Sequence, residues 1–308
     1  MYTAAEVHAA APLRPYSPSA GKPAFIGPDG IPGFRQLNYL NETFFEQLAA
    51  VYYGRVSYTD FVFGRLLDAI DAAPSVAART GVILTSDHGD YAGDWHNVEK
   101  YPCALDDVLT RVPLIAAFPG GRAGAREAAP VEVLDLFATL LDAAGILGNE
   151  KKGIERHFSQ SLLPLVMGAA QPPPPRPFVF SEGGYVPGSI EIEPLDPAQA
   201  KEYANPWNLY YPRGAEERVA AHCTRAISVR NATLKLVFRS APAASELYDL
   251  KADPRELVNV CDAAAQAEMM LGMLDWLTAT SDITPLIEDQ RGVPAFPGPP
   301  PFPWPPSE

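Results

Sequence analysis

Apolar residues recur with helical spacing in three segments of the chain. Between residues 41 and 70 they return every three or four positions, and Asn41 stands where a helix N-cap belongs. Residues 131–144 repeat the spacing and precede Gly145, which suits a helix C-terminus. Residues 266–278 predict a last helix near the end of the chain.

Short apolar runs between these segments predict β-strands, at residues 82–85, 112–118, 178–180, 224–230 and 233–239. A short helix at 107–110 separates the first two runs. This alternation predicts an α/β fold with a mainly parallel sheet flanked by helices. The last two runs flank a turn at 231–232 and predict a small C-terminal antiparallel sheet plus helix, in which Leu234, Leu236 and Phe238 form the one buried face.

The composition shifts suggest three regions. Residues 1–170 form a partial α/β domain with the candidate site, opening with a Pro-, Gly- and Ala-rich stretch at 1–40 that predicts a long surface loop. Residues 171–290 form a C-terminal part with the last strand of the main sheet and the antiparallel subdomain. Residues 291–308 form a Pro-rich tail.

Charge and cysteine content exclude several classes of protein. The formal net charge of −13 disfavours nucleic acid as a partner, although a cation and one or two lysines can still make a local anion site. The 3 cysteines show no Cys-x-x-Cys spacing, so a zinc ribbon is excluded. No apolar run reaches the ~20 residues of a membrane span, and the N-terminus lacks the layout of a signal peptide.

The candidate chemistry lies at the end of the first predicted strand. Gly81-Val82-Ile83-Leu84-Thr85 runs directly into Ser86-Asp87-His88-Gly89-Asp90. In open α/β sheets ligands bind beyond the carboxyl ends of the strands. A carboxylate there can bind a hard cation, and the imidazole can bind metal or donate a hydrogen bond.

Residues 85–120 resemble the second signature block of the sulfatase family, within the alkaline-phosphatase-like superfamily. The resemblance rests on Ser-Asp-His-Gly-Asp at 86–90, Lys100 in the following loop, Arg-Val-Pro-Leu-Ile at 111–115 and Pro-Gly at 119–120. Residues 246–260 are similar to the family's C-terminal strand, turn and helix. The resemblance implies an alkaline-phosphatase-like fold, N-terminally incomplete here.

The resemblance also implies roles for single residues. Asp87 and His88 occupy the positions of two ligands of a divalent cation, which is Ca²⁺ in much of the family and Mg²⁺ as the alternative. Lys100 occupies the position of the lysine that contacts the sulfate, and His222 that of a histidine bordering the pocket. The implied substrate is a small-molecule or carbohydrate sulfate ester, with no nucleic acid and no membrane span.

The family's nucleophile signature, a Cys or Ser followed by x-Pro-x-Arg, does not occur in the sequence. We therefore expect a C-terminal portion of a sulfatase, with the formylglycine nucleophile only in a missing N-terminal part. Taken alone, such a chain is expected to bind metal poorly and to show no turnover, because two ligands leave a hard cation mostly hydrated.

Two other functions stay open at this stage. One is a phosphoester or phosphonate hydrolase of the same superfamily, and the other is a non-catalytic pseudoenzyme that kept the scaffold. A secretory, lysosomal or periplasmic location fits the family, and the sequence does not choose between them. His96 receives no role, and Glu182 reads equally well as structural or as pocket-lining.

Overall fold

The computed structural model describes residues 2–15, 40–100, 103–147, 159–170, 172–184, 225–239, 245–260 and 262–280. The Pro-rich tail at 291–308 lies outside them. The helices in the described residues are α1 (Ala4–Ala10), α2 (Glu42–Asp71), α3 (Pro74–Ala77), α4 (Asp107–Thr110), α5 (Asp135–Ala143), α6 (Leu163–Met167) and α7 (Ala263–Thr280). Within that same part of the chain, no helix combines the length and the apolar character that a membrane crossing needs.

Helix α1 corrects the expectation of a surface loop throughout residues 1–40. Thr3 and Glu6 form a capping box, in which each side chain accepts a hydrogen bond from the backbone N–H of the other residue. Val7 then packs against Ala49 and Ala50 of α2. The short cap signal was overlooked because the segment is rich in helix-breaking residues further along.

Helix α2 confirms the 41–70 prediction, including the cap, since the Asn41 side chain accepts a hydrogen bond from the Phe44 N–H. Its buried residues lie near its N-terminus, at Phe45, Ala49 and Ala50. Further along, many of its large apolar side chains are exposed. A smaller part of the apolar surface of this 30-residue helix is therefore buried than its apolar content predicts.

The first sheet is antiparallel where we expected parallel strands. Strands β1 (Val82–Thr85) and β2 (Leu114–Ala117) pair with Thr85 opposite Leu114 and Val82 opposite Ala117. A parallel crossover needs a connection that carries the chain back along the sheet, usually a helix of a dozen or more residues. Helix α4 has only 4 residues, and β2 therefore begins beside the end of β1 and runs in the opposite direction. In the described residues no parallel pairing occurs.

The second sheet confirms the predicted antiparallel subdomain. Strands β3 (Val179–Gly183), β4 (Ala226–Arg230), β5 (Leu234–Arg239) and β6 (Glu246–Asp249) lie side by side in chain order. Every neighbouring pair is antiparallel. Helix α7 packs on one face of this sheet, and the core between them contains Ile227, Val229, Leu236, Phe238, Leu247, Met269, Met273 and Leu277.

The opposite face of β5 is also buried, which differs from the expected one-face-buried strand. Val237 packs there against Leu105 and Ala226. Lys235 and Arg239, on the same face, are almost fully buried. Buried carboxylates pair with both charges. Along β5 the alternation of apolar and charged residues therefore distinguishes an apolar buried face from a charged buried face, and not a buried face from a solvent-exposed one.

Helix α5 begins later than predicted and turns its polar face inward. Asp135 is buried and accepts hydrogen bonds from Arg176 and from the Gln160 N–H, while Leu134, Phe137 and Leu140 are exposed. Gly145 has φ +68° at the helix C-terminus, as the sequence predicted.

Candidate functional site

The end of β1 presents Asp87 and His88 to solvent. Their side chains are 83% and 42% exposed, and Asp87 Oδ2 lies 3.5 Å from His88 Nε2. The carboxylate is thus open to ligands and is not sealed in apolar packing. Asp87 Oδ1 accepts a hydrogen bond of 2.9 Å from the His88 N–H. That bond and the neighbouring imidazole lower the pKa of Asp87, so its carboxylate is ionised at neutral pH.

The hydrogen bonds of His88 fix which ring nitrogen is free. Nδ1 lies 2.8 Å from the carbonyl oxygen of Gly89. A carbonyl can only accept, so Nδ1 is the donor and Nε2 is the ring nitrogen that faces Asp87, where it is an acceptor whenever the ring is neutral. Two acceptors at this separation suit a cation or a proton held between them. Carbonyl-anchored imidazoles of this kind are common in metal sites.

Asp90 closes the loop that carries Lys100. Its Oδ1 accepts hydrogen bonds from the N–H groups of Ala92, at 2.7 Å, and Glu99, at 3.0 Å. The Tyr91 N–H in turn donates to the Glu99 carbonyl at 2.9 Å. The two ends of the loop therefore lie side by side, and Lys100 directly follows Glu99, whose N–H is bonded to Asp90. Its side chain is exposed. The sequence did not single out Asp90, although it ends the quoted Ser-Asp-His-Gly-Asp run.

The loop backbone is strained. Ala92, Trp95, His96 and Glu99 all have φ between 47° and 59°, a region that L-residues with side chains rarely adopt. Such a conformation persists only where contacts determine it from several sides. The loop is consequently a shaped element rather than a loose connection.

Contacts from α2 and from Arg14 hold this shape. His96 Nε2 lies 2.6 Å from Glu42 Oε2, and the His96 ring stacks on Phe45 at 4.1 Å. Arg14 binds Asp94 at 2.6 Å, and its guanidinium lies 5.0 Å from the Trp95 ring centroid. His96 received no role from the sequence pattern, and in the structure it connects the loop to α2.

Helix α4 packs against Gly89, just beyond the end of β1. The Gly89 N–H donates to the Leu109 carbonyl at 2.8 Å. A Cβ at position 89 would lie 1.9 Å from the Val108 carbonyl oxygen, so only glycine allows this approach. The buried Tyr91 hydroxyl also donates to Asp106, just before α4, at 2.6 Å.

The remaining candidates lie elsewhere or outside the described residues. His222 falls in the part of the chain that is not described, so its role stays a prediction. Glu182 on β3 accepts a hydrogen bond from Arg225 at 2.8 Å, which is the structural alternative for that residue. Lys100 has no described contact that ties it to Asp87, and its role also stays a prediction.

The donors present can supply part of a cation site. Asp87 offers carboxylate oxygens and His88 offers Nε2, both on the same exposed edge. No group of three or more His, Cys, Asp or Glu residues gathers around a common point in the described segments. Because Ca²⁺ takes about 6–8 oxygen ligands and Mg²⁺ six, the two residues fit as adjacent ligands and leave most positions to other groups.

The sequence comparisons agree with the motif. A sulfatase family model matches residues 14–146. A "Sulfatase" from Formosa agariphila is 34% identical over 125 residues, which cover 40% of this chain and 24% of the relative. "Arylsulfatase K" from Danio rerio is 30% identical over 148 residues, covering 47% of this chain and 26% of the relative. The matched segments thus span about a quarter of the length of these relatives.

Solved structures give the same fold. A putative sulfatase from Bacteroides thetaiotaomicron superimposes with a TM-score of 0.61 at 23% identity, over 93% of this chain and 55% of that one. A phosphonate monoester hydrolase from Silicibacter pomeroyi gives a TM-score of 0.64 at 26% identity, over 92% of this chain and 52% of that one. The architecture is therefore that of the alkaline-phosphatase-like fold. With the Asp-His strand end inside the family match, residues 14–146 form a sulfatase-family segment of the chain.

Proposed function

We propose that this chain carries the Asp-His half of the cation site in a sulfuric ester hydrolase that cleaves sulfate monoesters. The observation that supports it is the geometry at the end of β1. Asp87 and His88 Nε2 face each other across 3.5 Å on an exposed edge, with the other ring nitrogen engaged by Gly89. This arrangement suits two ligands of one divalent cation, Ca²⁺ in the first instance and Mg²⁺ as the alternative.

The residues have separable tasks in this proposal. Asp87 holds negative charge at the site because the His88 N–H stabilises its ionised form. Lys100 would supply an ammonium that offsets the charge of the sulfuryl oxygens. When bound, the cation would draw electron density from those oxygens. Asp90 and the strained loop hold Lys100 in place.

The reaction also needs a nucleophile, and the sequence contains no Cys-x-Pro-x-Arg or Ser-x-Pro-x-Arg. We therefore propose that turnover depends on polypeptide carrying the nucleophile, expected as formylglycine, and the other cation ligands. The 308 residues alone are proposed to bind the cation weakly and to leave sulfate esters intact.

A second candidate is hydrolysis of phosphonate or phosphate esters. The observation that favours it is the similarity to the phosphonate monoester hydrolase from Silicibacter pomeroyi. Sulfate and phosphate esters present similar tetrahedral oxyanions, so Asp87, His88 and Lys100 could serve either. The absent nucleophile motif favours a third outcome, a scaffold without catalysis.

Paired activity and binding measurements test the proposal. The chain is assayed alone and co-expressed with a sulfatase segment that carries a Cys-x-Pro-x-Arg signature, on p-nitrophenyl sulfate, p-nitrophenyl phosphate and a phenylphosphonate monoester. Sulfate turnover only in the combined sample, abolished by Asp87→Asn and cut by Lys100→Met, is the expected result. Asp60→Asn and Lys251→Met, two exposed changes, serve as controls. Cleavage of phosphorus esters alone would support the second candidate, and no cleavage of any ester would favour the scaffold.

A further inference from the structure

A buried ion cluster connects the C-terminal sheet to the segment beside the candidate site. Lys235 on β5 is 1% exposed, and its Nζ lies 3.0 Å from Asp107 Oδ1 and 2.7 Å from Glu256 Oε1. Arg230 on β4 binds the other carboxylate oxygen of Asp107. These groups have no part in the chemistry proposed above.

The cluster binds Asp107, the first residue of α4, through its side chain and its backbone N–H. Glu256 Oε1 binds Lys235, while its Oε2 accepts a hydrogen bond of 2.7 Å from the Asp107 N–H. Glu256 also has φ +57°, a strained backbone conformation for a residue with a side chain. Helix α4 is thus fixed at its start by side chains from two strands and one turn of the C-terminal unit.

The same helix touches the strand end two residues later. Leu109 accepts the Gly89 N–H, and the Val108 carbonyl occupies the space that a side chain at Gly89 would need. A shift of α4 by a fraction of an ångström must therefore move Gly89 or break its hydrogen bond. Gly89 directly follows His88, and its carbonyl is the acceptor that sets the His88 tautomer.

The charges of the cluster depend on one another. Burial alone would lower the pKa of Lys235, but Glu256 and Asp107 outweigh it and raise the pKa, so the ammonium is retained. Removing that charge leaves Glu256 without its cationic partner, while Asp107 keeps Arg230. Losing the Lys235 ammonium, which joins the two carboxylates, would loosen the attachment of Asp107, and of α4 with it, to Glu256.

We propose that Lys235, acting with Asp107 and Glu256, is a positioning residue that sets the orientation of Asp87 and His88 through α4 and Gly89. The proposal deepens the function proposed above and rests on it for the meaning of that orientation. The physical link itself, from Lys235 to the Gly89 amide, stands on the described contacts.

Hydrogen exchange in the full chain tests the link without any activity. In Lys235→Met we expect the Gly89 amide to exchange at least about tenfold faster, while the Val229 and Leu236 amides of the C-terminal sheet change less than about threefold. Lys235→Arg, which keeps the charge, should restore most of the protection. Tyr248→Phe, which deletes a buried hydroxyl bonded to Glu246 in the same sheet, should leave Gly89 unchanged.

Glu256→Gln covers the case in which Lys235→Met does not fold. Glu256 uses a different oxygen for Lys235 and for the Asp107 N–H, and glutamine puts an NH₂ donor in place of one of them, so this milder variant should still loosen Gly89 selectively. Equal acceleration at Gly89 and in the sheet, or no change at Gly89, would overturn the positioning role.

Ca²⁺ affinity, measured by calorimetry on the same proteins, separates the two proposals. A weaker affinity in Lys235→Met, restored in Lys235→Arg, supports both. If the unchanged chain and its co-expressed complex bind no Ca²⁺ while Gly89 loosens selectively, the proposed function fails and the coupling through α4 stands.

Discussion

At the scale of single residues, the site depends on how closely backbones approach one another. Gly89 lies against α4 so tightly that its hydrogen atom, rather than a methyl group, faces the Val108 carbonyl. The approach lets the Gly89 N–H reach Leu109 and turns the chain sharply after His88. Stability and the geometry of the candidate ligands therefore meet at this residue.

Replacing Gly89 by alanine should destabilise the protein. The added Cβ would lie 1.9 Å from the Val108 carbonyl oxygen and 2.9 Å from its carbon, so α4 must move. We expect a loss of about 2–3 kcal/mol in the free energy of unfolding, typical of overpacking a tight contact. Urea denaturation followed by circular dichroism measures it. A loss below about 0.5 kcal/mol would mean that α4 yields easily and does not support the strand end.

Glu132 predicts a pH dependence of stability. Burial raises its pKa above the ordinary value of 4.5, although the Phe180 N–H and Arg176 oppose the shift. The folded protein then binds more protons than the unfolded one between the two pKa values, so stability falls as pH rises through that window. Glu132→Gln, which keeps an acceptor for Phe180, lacks this fall.

The stability of Glu132→Gln relative to the wild type should therefore increase from about pH 4 toward pH 7. Urea unfolding at several pH values measures the difference. A difference that is constant with pH, or that shrinks as pH rises, would contradict the buried state of Glu132.

The sequence could predict the placement of residues that depends on their immediate neighbours, but not the role of residues whose partners are distant in the chain. Asp87 and His88 are consecutive, so a strand ending at Thr85 is enough to place them together. Lys235 reads as a solvent-facing strand residue, yet its partner Asp107 is 128 positions away. Nothing in the spacing announces that pair.

At the scale of elements, helices were predicted better than the pairing of strands. The cap at Asn41 and the glycine after α5 are local signals, and both are confirmed. The antiparallel pairing of β1 and β2 depends on the path of residues 86–113, which the apolar pattern of the strands does not encode. The buried second face of β5 was missed for the same reason, since burial is decided by what packs on the sheet.

Helix α2 offers a test in which local propensity alone should matter. Gly54 and Gly64 lie within it, and a Cβ at either position would meet no atom within 4 Å. Gly54→Ala should raise the free energy of unfolding by about 0.5–1 kcal/mol, because alanine restricts the unfolded chain and favours the helix. Thermal and urea unfolding measure it. A destabilised Gly54→Ala protein would indicate that something packs against this side of α2.

At the scale of the whole molecule, much apolar surface faces solvent. Large apolar side chains around the middle and C-terminal half of α2 are exposed, as are Ile115 on β2 and part of α5. A cavity of about 250 Å³ lies between α2, α3 and the β1–β2 pair, with apolar residues along most of its lining. Helices with apolar residues on all sides are normally covered, so a patch of this kind favours association.

Three positions on α2 distinguish the buried part of that helix from its exposed part. Phe45 is 0% exposed, whereas Phe61 and Leu66 are 60% and 54% exposed. Phe45→Ala should cost about 3–5 kcal/mol of stability, as removal of a buried aromatic ring does. Phe61→Lys combined with Leu66→Lys should change stability by less than about 1 kcal/mol, because both side chains are more than half exposed. The double variant should also bind less of the dye ANS and sediment with less self-association than the wild type at equal concentration. If it unfolds as readily as Phe45→Ala, those side chains belong to the interior of the fold, and the exposed surface on α2 is not available for association.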